Sequence, residues 1–286
     1  AVIVVILVTC VLASVVANRA APRLSPPAAK VGKLGRTVLV PIADPDDGEA
    51  VVRVASLIAA ADGGTVVPLT ILDLESTAAE VQALQERLTG DVERQVLANG
   101  AEARAVVRLD LTPSAGMLHA AVEQQASCIV MGWRGYTTRR EAFFGEQVDT
   151  MISAAPVPVV VCRPGAGERP RRVVLAVDGD DLSPGGVPGL ELARAVAVRL
   201  AERARLPLVL ATVAGQAHIH DAIGPQPFSE VLDERERSLE TLLTEVTVPG
   251  DIVVKGLSTV RVGLGPQVPR LARHLEGRMV IAAAPR

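Results

Sequence analysis

Apolar and polar positions along the chain follow two alternating rhythms. Continuous aliphatic and β-branched runs occur at Arg36–Ala43, Thr65–Asp73, Glu102–Leu109, Ser127–Met131 and Val157–Cys162. Such runs, with little in/out alternation, predict strands covered on both faces. Between them, apolar residues recur at helical spacing over Gly48–Ala61, Ser76–Asn99, Thr112–Ala126 and Gly145–Ala155, with Gly63 and Gly100 at expected C-terminal stops. Strand–helix alternation of this kind predicts a parallel sheet with right-handed crossovers. After Pro164–Pro170, a linker by composition, the pattern restarts. Arg172–Val177, Leu206–Val213, Asp251–Leu257 and Met279–Ala284 read as strands, and Leu190–Ala204, Phe228–Val246 and Pro266–Leu275 as helices. The offset of about 135 residues between the two series is a domain duplication, far beyond solenoid repeat lengths.

The first stretch obeys neither rhythm. Ala1–Ala17 carries no charge and, as a helix, would span about 26 Å against the roughly 30 Å of a bilayer core. Arg19, Arg23, Lys30, Lys33 and Arg36 follow with no acidic residue before Asp44, and Pro22, Pro26 and Pro27 break any helix. The positive flank predicts that residues 1–17 end a transmembrane helix leaving toward the cytoplasm, with 18–35 as a linker. A signal peptide is the competing reading, but no basic region precedes the apolar run. Because the chain begins with Ala rather than Met, it is expected to be a fragment or processed product.

Composition narrows the partners. A formal charge of −3 gives no global attraction to nucleic acid, and one Trp, one Tyr and three Phe leave little for base stacking. Cys10, Cys128 and Cys162 lie in apolar surroundings without metal-ligand spacing, as in a reducing compartment.

The candidate chemistry lies at Met131-Gly132-Trp133-Arg134-Gly135 and Phe143-Phe144-Gly145-Glu146-Gln147. A strand, a glycine-bearing loop with Arg134, Arg139 and Arg140, then a helix expected to begin at Gly145, would aim free backbone amides at an anion. Spacing alone leaves this open against a simple tight turn. For Asp44-Pro45-Asp46-Asp47 a ligand contact stands beside a turn and N-cap cluster, and for Trp133 a ligand contact stands beside core packing. His218, His220 and Asp221, read as part of a loop, lack a third convergent ligand partner, so no metal is predicted. No Ser-His-Asp order with a nucleophile elbow, Walker loop or Cys-x-x-Cys is present, so no enzyme activity is expected.

Gly132-x2-Gly135-x9-Gly145 resembles the Gly-x2-Gly-x9-Gly-Ser/Thr nucleotide motif of the universal stress protein family, and the likeness runs from about Arg36 to Arg163. The resemblance implies a Rossmann-like α/β domain over 36–163 with strand order 3-2-1-4-5. It implies ATP or another adenine nucleotide at the switch point, with Pro41, Ala43, Asp44, Ile71, Met131, Gly132, Trp133, Arg134, Gly135, Gly145, Glu146 and Gln147 as site residues. Glu146 stands where ATP-binding members carry Ser or Thr, and Ala43 where they carry Asp. In residues 171–286, Arg172–Val177 with Asp178-Gly179-Asp180 resembles the family's first strand more closely, but the copy is expected to be truncated, without glycine loop, fourth helix or fifth strand, to bind no nucleotide and to pack on the first domain. Val8-Thr9-Cys10-Val11-Leu12-Ala13-Ser14 through Pro22-Arg23-Leu24 resembles the last transmembrane helix of monovalent cation:proton antiporters. That likeness implies a cytoplasmic regulatory region, an upstream transmembrane transport domain as partner, and a homodimer. A membrane-anchored stand-alone stress protein and a ligand-free dimerisation scaffold are the alternative readings.

Overall fold

A computed structural model describes residues 34–43, 48–133, 139–165, 169–260, 263–265, 267–275 and 277–285. The expected transmembrane segment and most of its linker, together with Asp44, Arg134 and Gly135, lie outside the described residues. Among the described residues, no helix is long and apolar enough to cross a membrane.

The first half runs β1 (Thr37–Pro41), α1 (Glu49–Ala61), β2 (Thr65–Leu72), α2 (Ala78–Arg87), α3 (Arg94–Ala98), β3 (Glu102–Ala103), β4 (Val106–Leu109), α4 (Pro113–Glu123), β5 (Cys128–Gly132), α5 (Arg139–Ala154) and β6 (Val159–Arg163). A π-helical turn, Leu88–Glu93, joins α2 to α3, so Ser76–Asn99 is one long helical stretch, as its periodicity predicts. The turn brings Leu88, Val92 and Val96 to the core together. The helix opens with a reciprocal cap, in which the Glu80 amide donates to Thr77 Oγ1 and the Thr77 amide donates to Glu80 Oε2.

The second half runs β7 (Arg172–Val177), α6 (Val187–Ala204), β8 (Leu208–Thr212), α7 (Gln216–Ile223), β9 (Glu230–Asp233), α8 (Leu239–Val246), β10 (Asp251–Leu257), α9 (Gln267–His274) and β11 (Arg278–Ala283). A 3-10 turn, Gly179–Leu182, lies between β7 and α6.

All eleven strands share one sheet, in the order β3-β2-β1-β5-β6-β11-β10-β7-β8-β9, with β4 also on β2. Each half follows the order 3-2-1-4-5, the third strand of the first half being split into β3 and β4. Every pairing within a half is parallel. Where the halves meet, β6 and β11 pair antiparallel from Met279↔Arg163 to Ala283↔Val159. Alternate residues of the strands point to two apolar layers. Val38, Val40, Cys128, Val130, Val173 and Val254 face the layer shared with α1 and α6. Leu39, Ile129, Met131, Val161, Val253 and Ile281 face the layer shared with α4, α5, α8 and α9. Both cysteine thiols of the sheet, Cys128 and Cys162, are free and buried. Burial pushes the Cys162 thiol up to about 12.

Four expectations need correction. The second half is not truncated, because the stretch read as one helix over Phe228–Val246 contains strand β9 before α8. That strand raises β10 and β11 to fourth and fifth place, with α9 as the fourth helix. The segment around His218 is helix α7 rather than a loop. Its two histidines are two residues apart, a spacing that does not share a helix face, and His218 Nδ1 pairs with the Ala214 carbonyl at 2.9 Å. Finally, α5 starts at Arg139 rather than at Gly145. Its first turns are Arg-Arg-Glu-Ala-Phe-Phe, adequate helix formers, and an internal glycine costs only about 1 kcal/mol relative to Ala.

Candidate functional site

In an open parallel sheet, ligands bind beyond the C-terminal ends of the strands where the order reverses. In the first half that place lies beyond β1 and β5. The chain leaving β1 stays fastened to β2: the Ile42 amide donates to Leu69 O at 2.8 Å, and Thr70 Oγ1 donates to Ile42 O at 2.8 Å. Ile42 is buried, Pro41 half-buried and Ala43 exposed. The chain leaving β5 is held likewise, the Trp133 amide donating to Cys162 O at 2.8 Å. Gly132 therefore sits at a fixed point between α1 and the rim. A Cβ built on it would lie 3.1 Å from Val51 Cγ2, so the missing side chain lets α1 approach.

Three of the apolar residues named from the sequence face the core. Met131 and Trp133 are 5% and 2% exposed and share a cluster with Met117, Val148 and Met151. Ile71, half-buried at the end of β2, sits over Gly116 of α4, where a Cβ would come within 2.9 Å of its Cδ1. These side chains floor the rim rather than project from it.

Glu146 and Gln147 fall in the third turn of α5, Glu146 exposed and Gln147 half-buried. The Glu146 carbonyl accepts from Thr150 Oγ1 at 2.8 Å. Amides that far into a helix are taken by carbonyls four residues back. The free donors of α5 belong instead to its first turn. Gly145 thus serves the helix interior.

Sequence reasoning missed a polar cluster three strands from Gly132 on the same rim. Asp110, just past β4, accepts from Arg108 Nε at 2.9 Å and from the Leu111 amide at 2.9 Å, and pairs with His119 Nδ1 at 2.8 Å. Arg108 also pairs with Glu123. The His119 and Arg108 hydrogen bonds hold the Asp110 carboxyl down to about 2. The only signal was faint: Arg108, Asp110 and His119 flank a strand end and the helix after it. The arrangement fixes a carboxylate beside the rim with no open coordination set, and among the described residues no group of three or more His, Cys, Asp or Glu is placed to hold a metal.

Comparison with known proteins places this geometry. Residues 35–163 match the model of the Universal stress protein family. A curated relative, the Na(+)/H(+) antiporter NhaS5 of Synechocystis sp. (strain ATCC 27184 / PCC 6803 / Kazusa), is 30% identical over 138 residues, 44% of this chain. The chain spans only 19% of that relative's length. Among solved structures, the cytoplasmic domain of a prokaryotic cation chloride cotransporter is similar with a TM-score of 0.59 at 15% identity, covering 87% of this chain and 95% of that one. A universal stress protein from Archaeoglobus fulgidus DSM 4304 is similar with a TM-score of 0.57 at 13% identity, covering 88% and 97%. Both likenesses extend across the joined halves and speak for the fold. The matched stretch, residues 35–163, is the half of the sheet that carries Gly132.

Proposed function

We propose that this chain is a cytoplasmic regulatory region of a membrane cation:proton antiporter and that its first half senses an adenine nucleotide beyond β1 and β5. The observation that carries the antiporter assignment is the 30% identity to a Na(+)/H(+) antiporter. A transporter's cytoplasmic domain with the same two-half fold supports it. In this reading the transport residues lie in a transmembrane domain preceding the chain, residues 1–17 end its last helix, and the region pairs with a second copy. Residues 36–163 and 171–286 are then two stress-type domains.

Nucleotide sensing rests on the switch point. Its phosphates would lie over Gly132 and the first turn of α5, near Arg134 and Gly135. A bound nucleotide changes transport only through different affinity for two states of the protein. Glu146 supplies a carboxylate where a hydroxyl would donate, so a triphosphate is weakened and a compact cyclic nucleotide suffers less. Met131, Trp133 and Ile71, turned into the core, favour a second reading in which the domain is a ligand-free scaffold for dimerisation.

Calorimetric titration of the chain with ATP, cyclic AMP and cyclic di-AMP separates the two. Saturable binding that strengthens in Glu146→Ser and weakens in Gly132→Ala is the expected result for a sensor. Heats indistinguishable from dilution for all three compounds, with the fold intact by circular dichroism, leave the scaffold.

A further inference from the structure

The sheet ends in two open edges, and they differ in chemistry. On one side, β9 begins and ends with a carboxylate, Glu230 paired with Arg172 and Asp233 with Arg235. Charges of this kind discourage pairing with another chain. On the other side β3 and β4 lie along β2. There the Arg104 amide donates to Val66 O at 3.0 Å and the Asp110 amide to Leu72 O at 3.1 Å. Even-numbered residues of this stretch thus turn their backbone groups toward β2, and odd-numbered residues turn theirs outward.

From Ala105 to Leu109 the outward positions are not alike. At Ala105, just before β4, the amide donates to Glu93 Oε1 at 2.5 Å and the carbonyl accepts from Gln85 Nε2 at 3.2 Å. Glu93 closes the π-helical turn and Gln85 stands just before it, so the widened helix sets both side chains on one strand residue. Val107 and Leu109 have no such substitute. Among the described residues nothing bonds the outward amide or carbonyl of either. The edge is therefore plugged at one position and open at the next two.

Beside the open stretch lies a groove of about 520 Å³ between α2 and the end of β4, lined by Ala78, Val81, Gln85, Glu86 and Leu109 among others. Its helical wall, α2, has no fully buried residue. Leu109 is 40% exposed, and Leu74 and Leu111, just past the ends of β2 and β4, are 56% and 79% exposed. Large apolar side chains left open at one strand end mark an interaction surface. The surrounding charge is of one sign. Glu86 lines the groove and Asp73 and Glu75 flank Leu74, all three exposed. Glu80 is spent on the Thr77 cap. Of the cations on α2 and β4, Arg108 is held by Asp110 and Glu123, and Arg87 has a partner of its own.

We propose that the open edge of β4 and the groove beside it form a docking site for an extended segment of a partner protein, added as a further strand, apolar at alternate positions and flanked by Lys or Arg. Val107 and Leu109 each offer an amide and a carbonyl, so the added strand gains main-chain bonds to both. Its alternate side chains fall on the groove side of the sheet, where Val81 and Leu109 receive them. Its cation meets Asp73, Glu75 and Glu86, which supplies charge complementarity. A second copy of this edge, related by a two-fold axis, would instead bring the same carboxylates face to face. The plug at Ala105 fixes where the added strand stops. The site needs no nucleotide and stands apart from the switch point.

Two labelled peptides, Lys-Val-Thr-Val-Thr-Val-Lys and the same sequence flanked by Glu, test this by fluorescence anisotropy with the full chain. The Lys-flanked peptide is expected to bind saturably and the Glu-flanked one roughly tenfold more weakly, a gap that added salt narrows. Val107→Pro removes one outward amide and spares the bonds to β2, so it is expected to abolish binding. Val81→Lys, which places a cation in the groove, is expected to weaken it. Hydrogen exchange followed by NMR is expected to slow at the Val107 and Leu109 amides when the Lys-flanked peptide is added. The proposal is overturned if neither peptide binds, if both bind alike, or if those two amides exchange unchanged in the complex. Should Val107→Pro not fold, Val81→Lys and the exchange measurement decide. A wild-type dimer in sedimentation velocity that Val107→Pro converts to monomer would give the edge to a second copy and overturn the proposal as well.

Discussion

Asp110 shows how much a single carboxylate's partners decide. Held by Arg108 and His119, it titrates near 2 instead of its ordinary 3.8. A depressed folded-state value means stability that is present above the unfolded value and is lost as pH falls through the folded one. Asp110→Asn is therefore expected to lower the urea midpoint at neutral pH and to lower it much less near pH 2, the gap between variant and wild type narrowing as acid is added. A constant difference across that range would assign the effect to geometry alone. Such residues were poorly legible in the sequence. Asp110 and His119 are ordinary polar residues until the fold sets a strand end beside a helix. Lys255 left one visible trace, a lone cation within Asp-Ile-Val-Val-Lys-Gly-Leu. Its buried partner is Asp181, which lies 74 positions away.

Among the elements, those with long uninterrupted patterns were legible and short ones were not. β1, β2, β5, β7, β10 and β11 announce themselves as aliphatic runs, because a central parallel strand needs apolar side chains on both faces. β9 has four residues, Glu-Val-Leu-Asp, too few for alternation to outweigh the charged helical pattern around it. The start of α5 was misplaced because a glycine read as a boundary serves the helix interior. Glycine has a stricter role where α6 crosses β10. A Cβ on Gly189 would lie 2.2 Å from Leu257 O, and one on Gly256 would lie 2.7 Å from the Gly189 carbonyl carbon. Both obstacles are backbone, so neither can rotate away. Gly189→Ala is expected to destabilise the fold by about 1–3 kcal/mol, as overpacking does, despite alanine's better helix propensity. Chemical denaturation measures it, and a stabilised variant would mean that helix and strand can separate at no cost.

For the whole molecule, the duplicated rhythm predicted two α/β units, and the family likeness implied the strand order both follow. How they join was not written in any local pattern. The join consists of five residue pairs between β6 and β11, reinforced where Arg199 of α6 reaches across to Asp62, Nη2 to Oδ1 at 3.0 Å and Nε to Oδ2 at 3.0 Å. Asp62 also accepts from the Gly35 amide at 2.7 Å. Residues 31–286 form one compact unit. Calorimetry of the chain is therefore expected to show one cooperative transition, with equal calorimetric and van't Hoff enthalpies. Two resolved peaks would mean that the halves melt separately.

The antiparallel join limits how the two halves can move against each other. Two bodies on a flexible tether can open like a clamshell, and much of allostery works that way. Here opening would mean unzipping a ladder of backbone hydrogen bonds at the centre of a sheet. The halves are thus better described as one rigid plank than as a jaw. In the proposed regulatory reading, a change at one half would reach the other as a tilt of the joined sheet. If the chain is the regulatory region proposed above, a crosslink across β6 and β11 should therefore leave regulation untouched.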